Sequence, residues 1–226
     1  SSDLIEKMTV LGGLATAGHV VIYLPLCDGL GHKVMSGISE ELLYASIKYG
    51  YNNLPEEWEL GPEQVESIKR YRTVFNAPAF VLSLDETLTE ARVKILFDSV
   101  FCDVEMDNNY CRMVIVENKS GRQAYRCGAV VDASGDADVL FRAGAPCSEQ
   151  DNWLTYWAYC LSEKNNDIMQ SASSPDLRLK LIALGNCEGT DNESMRKYYG
   201  TNVEEITEFL LKARRNALSK LKANNN

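Results

Sequence analysis

Apolar positions recur at helical spacing in three stretches of the chain and at strand spacing in a block between them. In SGISEELLYASIKYG, Ile38, Leu42, Leu43 and Ile47 share one helical face, with Ser36 placed to cap it. The polar stretch YNNLPEEWELGPEQ reads as a loop that runs into a short helix over about residues 62–71. NAPAFVLSLDETLTEAR predicts a second helix: Asn76 stands at the cap, Pro78 in the first turn, and Phe80, Leu84 and Leu88 on one face. Near the carboxyl end, NVEEITEFLLKARRNALSKLKA carries Ile206, Leu210, Ala213, Ala217 and Leu221 on a single stripe. Between these helices VKILF, SVFCDVEM, CRMVIVEN and QAYRCGAVVDA predict short strands, with turn residues DNN and KSG in two of the gaps. The block ends in the very apolar AVVDA, expected to be a strand. LTYWAYCL suggests a further strand, and EKNNDIMQSASSPD reads as loop. The opening DLIEK has the pattern of a buried strand ending in an acid.

Composition narrows the function classes. A net charge of −9 over 226 residues argues against a basic phosphate-binding face, and so against nucleic acid as a partner. No apolar run approaches the roughly 20 residues of a membrane-spanning helix. Seven cysteines lie scattered without a CxxC pair. That pattern predicts reduced thiols in a cytoplasmic protein, used as small core residues, with no disulfide framework, zinc site or redox-active disulfide.

Two stretches carry candidate chemistry. DASGDAD, residues 132–138, alternates acids with small residues, but a calcium loop would need Gly where Ala137 stands and Glu where Ala143 stands. It reads instead as a strand end and a small-residue turn, with Asp136 capping a helix, a place where a cofactor can approach the backbone. In DLIEK, Glu6 fits the acid that ends the second strand of a dinucleotide-binding βαβ unit and bonds the ribose, about 20 residues after a GxGxxG loop. That loop would lie upstream of Ser1. The rival placement is GLATAG, residues 13–18, serving a classical NAD(P) dehydrogenase. It requires a strand before it, and MTVL is short for one.

Taken together, IEKMTVLGGLATAG, the helix-strand-meander block and GAVVDASGDADVLFRAGAP resemble FAD-dependent oxidoreductases with a glutathione-reductase-type flavin fold. The nearest likeness is to a bacterial group with an LGG-A-T-x-G segment after the ribose acid. The resemblance spans about residues 3–160. It implies an α/β fold: part of an FAD/NAD(P)-binding domain with a β-meander, and part of a mixed α/β substrate domain. It also implies a parent enzyme in which a small substrate gives a hydride to flavin.

Residue by residue, Glu6 resembles the ribose ligand. Gly12 and Gly13, with Thr16 beside them, resemble the turn along the pyrophosphate and ribityl chain. Val100 resembles the meander residue whose backbone touches adenine. Ala133, Ser134, Gly135 and Asp136 resemble the second conserved turn, near the diphosphate. His19 and Tyr23 are candidates to face the flavin, and no catalytic acid or base is assigned.

The GxGxxG strand and the returning carboxyl-end segment of such enzymes are not in the sequence. The chain is accordingly expected to be a middle fragment that binds FAD weakly or not at all as it stands. The expected organisation is a remnant of the FAD-binding domain (1–34), a helical part of a substrate or cap region (35–92), the meander and second turn (93–147), and part of a substrate domain ending in a helix (148–226). An incomplete core also predicts self-association into a homo-oligomer. The alternative is a cofactor-free α/β binding or interaction module that keeps a flavoprotein framework.

Overall fold

The opening DLI is a strand, β1 (Asp3–Ile5), in the computed structural model, which describes residues 2–23, 26–28, 30, 32–50, 73–154, 156, 159–161, 179–181 and 196–224. It pairs in parallel with β4 (Lys94–Leu96), Leu4 opposite Ile95. Parallel neighbours need a crossover, and a helix, α2 (Ala77–Glu90), leads directly into β4. Its start follows the sequence expectation: Pro78 lies in the first turn, and the Asn76 Oδ1 accepts the Ala79 N–H at 3.0 Å. Removing that acceptor with Asn76→Ala should lower stability by about 1 kcal/mol, read from the urea midpoint.

Phe80 of α2 is buried edge-on to Phe75, at 5.2 Å between ring centroids. Phe75 in turn meets Tyr23, 5.7 Å away, on β2 (Ile22–Tyr23), which pairs with β3 (Thr73–Val74). Against α2 packs α1 (Ile38–Ile47), burying Leu43 and Ile47. Where the chain leaves α1, the Glu86 carboxylate of α2 receives Lys48 Nζ at 2.5 Å and the Tyr49 hydroxyl at 2.6 Å. Ser36 does not cap α1. The residue before the helix is Gly37, at φ 65°, with no side-chain cap, and its carbonyl takes the Glu40 and Glu41 amides. Ile38, expected on the buried face, is 72% exposed in that first turn.

The β-rich block forms an antiparallel meander in the order β5 (Val100–Asp107), β6 (Tyr110–Asn118), β7 (Gly121–Arg126). Central β6 buries Val114 and Val116, as alternation along a strand requires. Two register shifts interrupt β5, between Phe101 and Asp103 and between Glu105 and Met106. The expected strand at AVVDA does not form. After Cys127, whose amide still reaches the Arg112 carbonyl at 3.1 Å, the chain leaves the ladder, and Val131 is 88% exposed. An apolar run becomes a strand only where a neighbour accepts its backbone hydrogen bonds, and no described strand lies beside residues 129–133.

The chain divides into two units, Ser1–Cys147 and Ser148–Asn226. In the second, β8 (Tyr159–Leu161) pairs antiparallel with β9 (Leu179–Leu181), so the described part of the strand expected in LTYWAYCL is short. Asn152 and Tyr198 exchange backbone hydrogen bonds at 2.9 and 2.8 Å. The last helix, α4, spans Val203–Asn224. Ala213 and Ala217 are buried as the stripe predicts, and Phe209 meets the Tyr198 ring at 5.5 Å, but Ile206 is exposed. The helix expected over 62–71 and the loop over 163–176 lie outside the described residues. Among the described residues no helix is long and apolar enough to cross a membrane.

Candidate cofactor site

Glu6 follows β1 at its carboxyl end. Its amide donates to the Leu96 carbonyl at 2.9 Å and its carbonyl accepts from Ser99 N–H at 3.1 Å, which extends the β1–β4 pairing by one step. Its carboxylate is held by the Met8 amide, 2.8 Å from Oε1. Ser99 is buried, and its hydroxyl donates to the Phe97 carbonyl and accepts from Asn118 of β6. This web carries the chain from β4 into β5, so the structure brings Glu6 and Val100 together. Val100 is 51% exposed and opens the edge strand of the meander. An edge strand keeps outward backbone groups free to bond another molecule.

Gly12, Gly13 and Thr16 belong to a self-contained turn. A short 3-10 segment (Gly13–Ala15) follows Gly12, which has φ 98°. The Gly13 carbonyl accepts from both Thr16 N–H (3.3 Å) and Gly18 N–H (2.9 Å). Thr16 is buried, and its hydroxyl donates to the Leu11 carbonyl. Thr16 therefore holds the turn, while Gly12 and Gly13 are exposed. The dinucleotide-loop reading of 13–18 fails on this geometry. Residues 7–11 form bends, not a strand, and the loop closes on itself through Val20 N–H to the Leu14 carbonyl, where that motif would open a long helix.

The second turn is organised by a residue outside the expected set, Asp132. Its Oδ1 accepts from the Ser134 amide at 3.0 Å and from the Ser134 hydroxyl at 2.7 Å. Its Oδ2 accepts from the Val139 and Leu140 amides, both at 3.0 Å. The expected cap, Asp136, is displaced from that role. The residue before α3 (Asp138–Arg142) is Ala137, at φ 59°; the Ser134 hydroxyl accepts the Asp138 amide at 2.9 Å, and Asp132, six residues upstream of the helix start, takes the next two. Partial burial pushes the Asp132 carboxyl up. The Ser134 hydroxyl and the Leu140, Ser134 and Val139 amides together outweigh it and hold the carboxyl below the ordinary aspartate range. The D-x-S spacing of an Asx-type turn was the sequence signal for this arrangement. Ala133, Ser134, Gly135 and Asp136 stand exposed on the loop so formed, and α3 packs beside β5.

The two flavin-facing candidates part ways. His19 is exposed, in a left-handed turn at φ 59°. Tyr23 packs on Phe75, and burial pushes its phenol up, away from proton exchange near neutral pH. Among the described residues no three His, Cys, Asp or Glu side chains cluster as metal ligands.

Residues 3–158 match the family model described as FAD dependent oxidoreductase. The chain belongs to the FAD-dependent oxidoreductase family. In this flavoprotein-family chain the parallel β1–β4 pair, its helical crossover and the antiparallel meander form a mixed α/β arrangement consistent with part of an FAD/NAD(P)-binding domain. No curated protein matches the chain. Among solved structures, that titled "Crystal structure of FqzB, native proteins" is similar at 18% identity and a TM-score of 0.38, over 74% of this chain and 37% of that one. The chain thus spans little more than a third of the length of that protein.

Proposed function

We propose that the chain supplies the adenosine-side wall of an FAD site, in an oxidoreductase whose small-molecule substrate gives a hydride to flavin. The observation that carries this reading is the junction of β1, β4 and β5. A parallel pair with a helical crossover sets Glu6 at a strand end, its carboxylate oriented by the Met8 amide, one hydrogen bond from the exposed start of β5 at Val100. A carboxylate so placed is suited to a ribose diol, and an edge backbone to an adenine rim.

The exposed turn at 133–136 fits the diphosphate through its backbone. Gly135, at φ 96°, has no atom within 4 Å of where a Cβ would lie, so a ligand has room to approach. The first α3 amides are already engaged, that of Asp138 by the Ser134 hydroxyl and those of Val139 and Leu140 by Asp132, and take no part in that role. Gly12 and Gly13 present a second exposed glycine backbone for the ribityl side. Bound FAD supplies the hydride-accepting ring; these residues bind and orient it. The sequence holds no GxGxxG, so the chain by itself is proposed to bind FAD only weakly.

Titration with FAD and with ADP, followed calorimetrically, tests this. Weak binding of both is expected, with Glu6→Ala weakening each by about tenfold, the loss of a charge-assisted hydrogen bond. Nanomolar FAD affinity, or an affinity indifferent to position 6, would overturn the assignment. Failure of either nucleotide to bind at millimolar concentration would favour a cofactor-free interaction module.

A further inference from the structure

The meander brings two cysteines together that stand 16 positions apart in the sequence. Cys111 lies near the start of β6 and Cys127 immediately follows β7, and their sulfurs are 3.8 Å apart. The Cys127 thiol also points at the Cys111 carbonyl, 3.6 Å away, and the Cys111 thiol at the Met113 carbonyl, 3.5 Å away. Both are half-buried, so a small oxidant can reach them, while the ladder fixes their spacing. A disulfide needs its sulfurs at about 2.05 Å. Closing the gap takes side-chain rotation, aided by the register shift of β5 between Glu105 and Met106, beside the Met106–Cys111 pair, and by the end of the β7 ladder at Arg126. Of the other described cysteines, Cys102 and Cys147 meet backbone carbonyls, at 3.5 and 3.4 Å.

We propose that Cys111 and Cys127 form a dithiol that a peroxide converts to an intramolecular disulfide, a modification site between the meander and the DASGDAD turn. One thiolate attacks hydrogen peroxide; a sulfur–oxygen bond forms, the oxygen–oxygen bond breaks, and the departing hydroxide takes up a proton as water. The second sulfur then attacks the sulfenic sulfur. The sulfur–sulfur bond forms, the sulfur–oxygen bond breaks, and the second oxygen leaves as water. Two thiols lose two electrons and two protons, and the peroxide becomes two waters. Burial, and then the contact with Cys111, pushes the Cys127 thiol up, so the reaction accelerates as pH rises above neutrality. The link ties the chain leaving β7 to β6, five residues before Asp132 and its turn.

The test is stoichiometric hydrogen peroxide on the reduced full chain, then non-reducing digestion that cuts after Tyr110, to separate Cys102 from Cys111, and after Arg126. The expected result is one peptide pair joined through Cys111 and Cys127, a loss of two thiols, and full recovery with dithiothreitol. Cys111→Ser and Cys127→Ser should each abolish the link. Should either variant fail to fold, the wild-type map still decides. A different partner for either cysteine, separate sulfinic acids, or both thiols still titratable after oxidation would overturn the proposal.

Discussion

Gly12→Ala is expected to lower stability by about 2–5 kcal/mol, because it adds strain and overlap at the same atom. A φ of 98° is disfavoured for any L residue, at roughly 1–2 kcal/mol. The new Cβ would also lie 2.6 Å from Thr16 Cγ2, 2.9 Å from its Oγ1 and 3.0 Å from Leu84 Cδ1. Overpacking of this kind costs about 1–3 kcal/mol. Thr16 has little freedom to retreat, since it is buried and its hydroxyl is bonded to Leu11. Gly13→Ala separates the two causes. There φ is 48° and no atom lies within 4 Å of the Cβ position, so only the strain of about 1–2 kcal/mol remains. Urea midpoints followed by far-UV circular dichroism read the difference. Equal losses for the two variants would show that the clash carries no weight. Adding Thr16→Ser, which deletes Cγ2 and keeps the hydroxyl, should recover part of the Gly12→Ala loss.

That contrast shows what could be read from the amino-acid order. The pattern LGGLATAG announces a glycine turn, but which glycine is sterically required depends on how Thr16 folds back over Gly12 and on Leu84, some 70 residues later, reaching back from α2. The α2 helix, by contrast, was fully legible: its cap, its proline and its buried Phe80 are local features. The meander was legible for the same reason, since alternation and turn residues are local. AVVDA was misread because apolar composition signals burial, whereas a strand also needs a partner, and that is a fact about the rest of the fold. Ser36 was misread because a capping hydroxyl one residue early is no cap once Gly37 turns at positive φ.

The candidate site divides along the same line. Glu6 and Val100 were chosen separately, and the β1–β4 pairing is what makes them neighbours. The cysteines were judged by spacing in sequence, where no CxxC exists, and the antiparallel pairing of β6 with β7 supplied a contact that spacing could not reveal.

Asp132→Ala is the second large expected effect, a loss of about 2 kcal/mol concentrated at α3. The substitution strips the Val139 and Leu140 amides of their acceptor and frees Ser134 in one step. A helix of five residues cannot hold itself without such support. Amide hydrogen exchange at Val139 and Leu140 should therefore accelerate well beyond the change at Val114 or Val116 in the meander. Asp136→Ala is the control: the side chain is exposed and Asp132 holds the turn without it, so stability should be unchanged.

The pH dependence has a fixed sign. The folded Asp132 carboxyl lies below its unfolded value of about 3.9, so its contribution is fully present above that pH. It is lost as pH falls through the lower folded value. The stability gap between wild type and Asp132→Ala should hold constant from neutral pH down to about 4 and close in more acid solution. A gap that persists undiminished to the acid limit would mean that the carboxylate is not the group holding the turn.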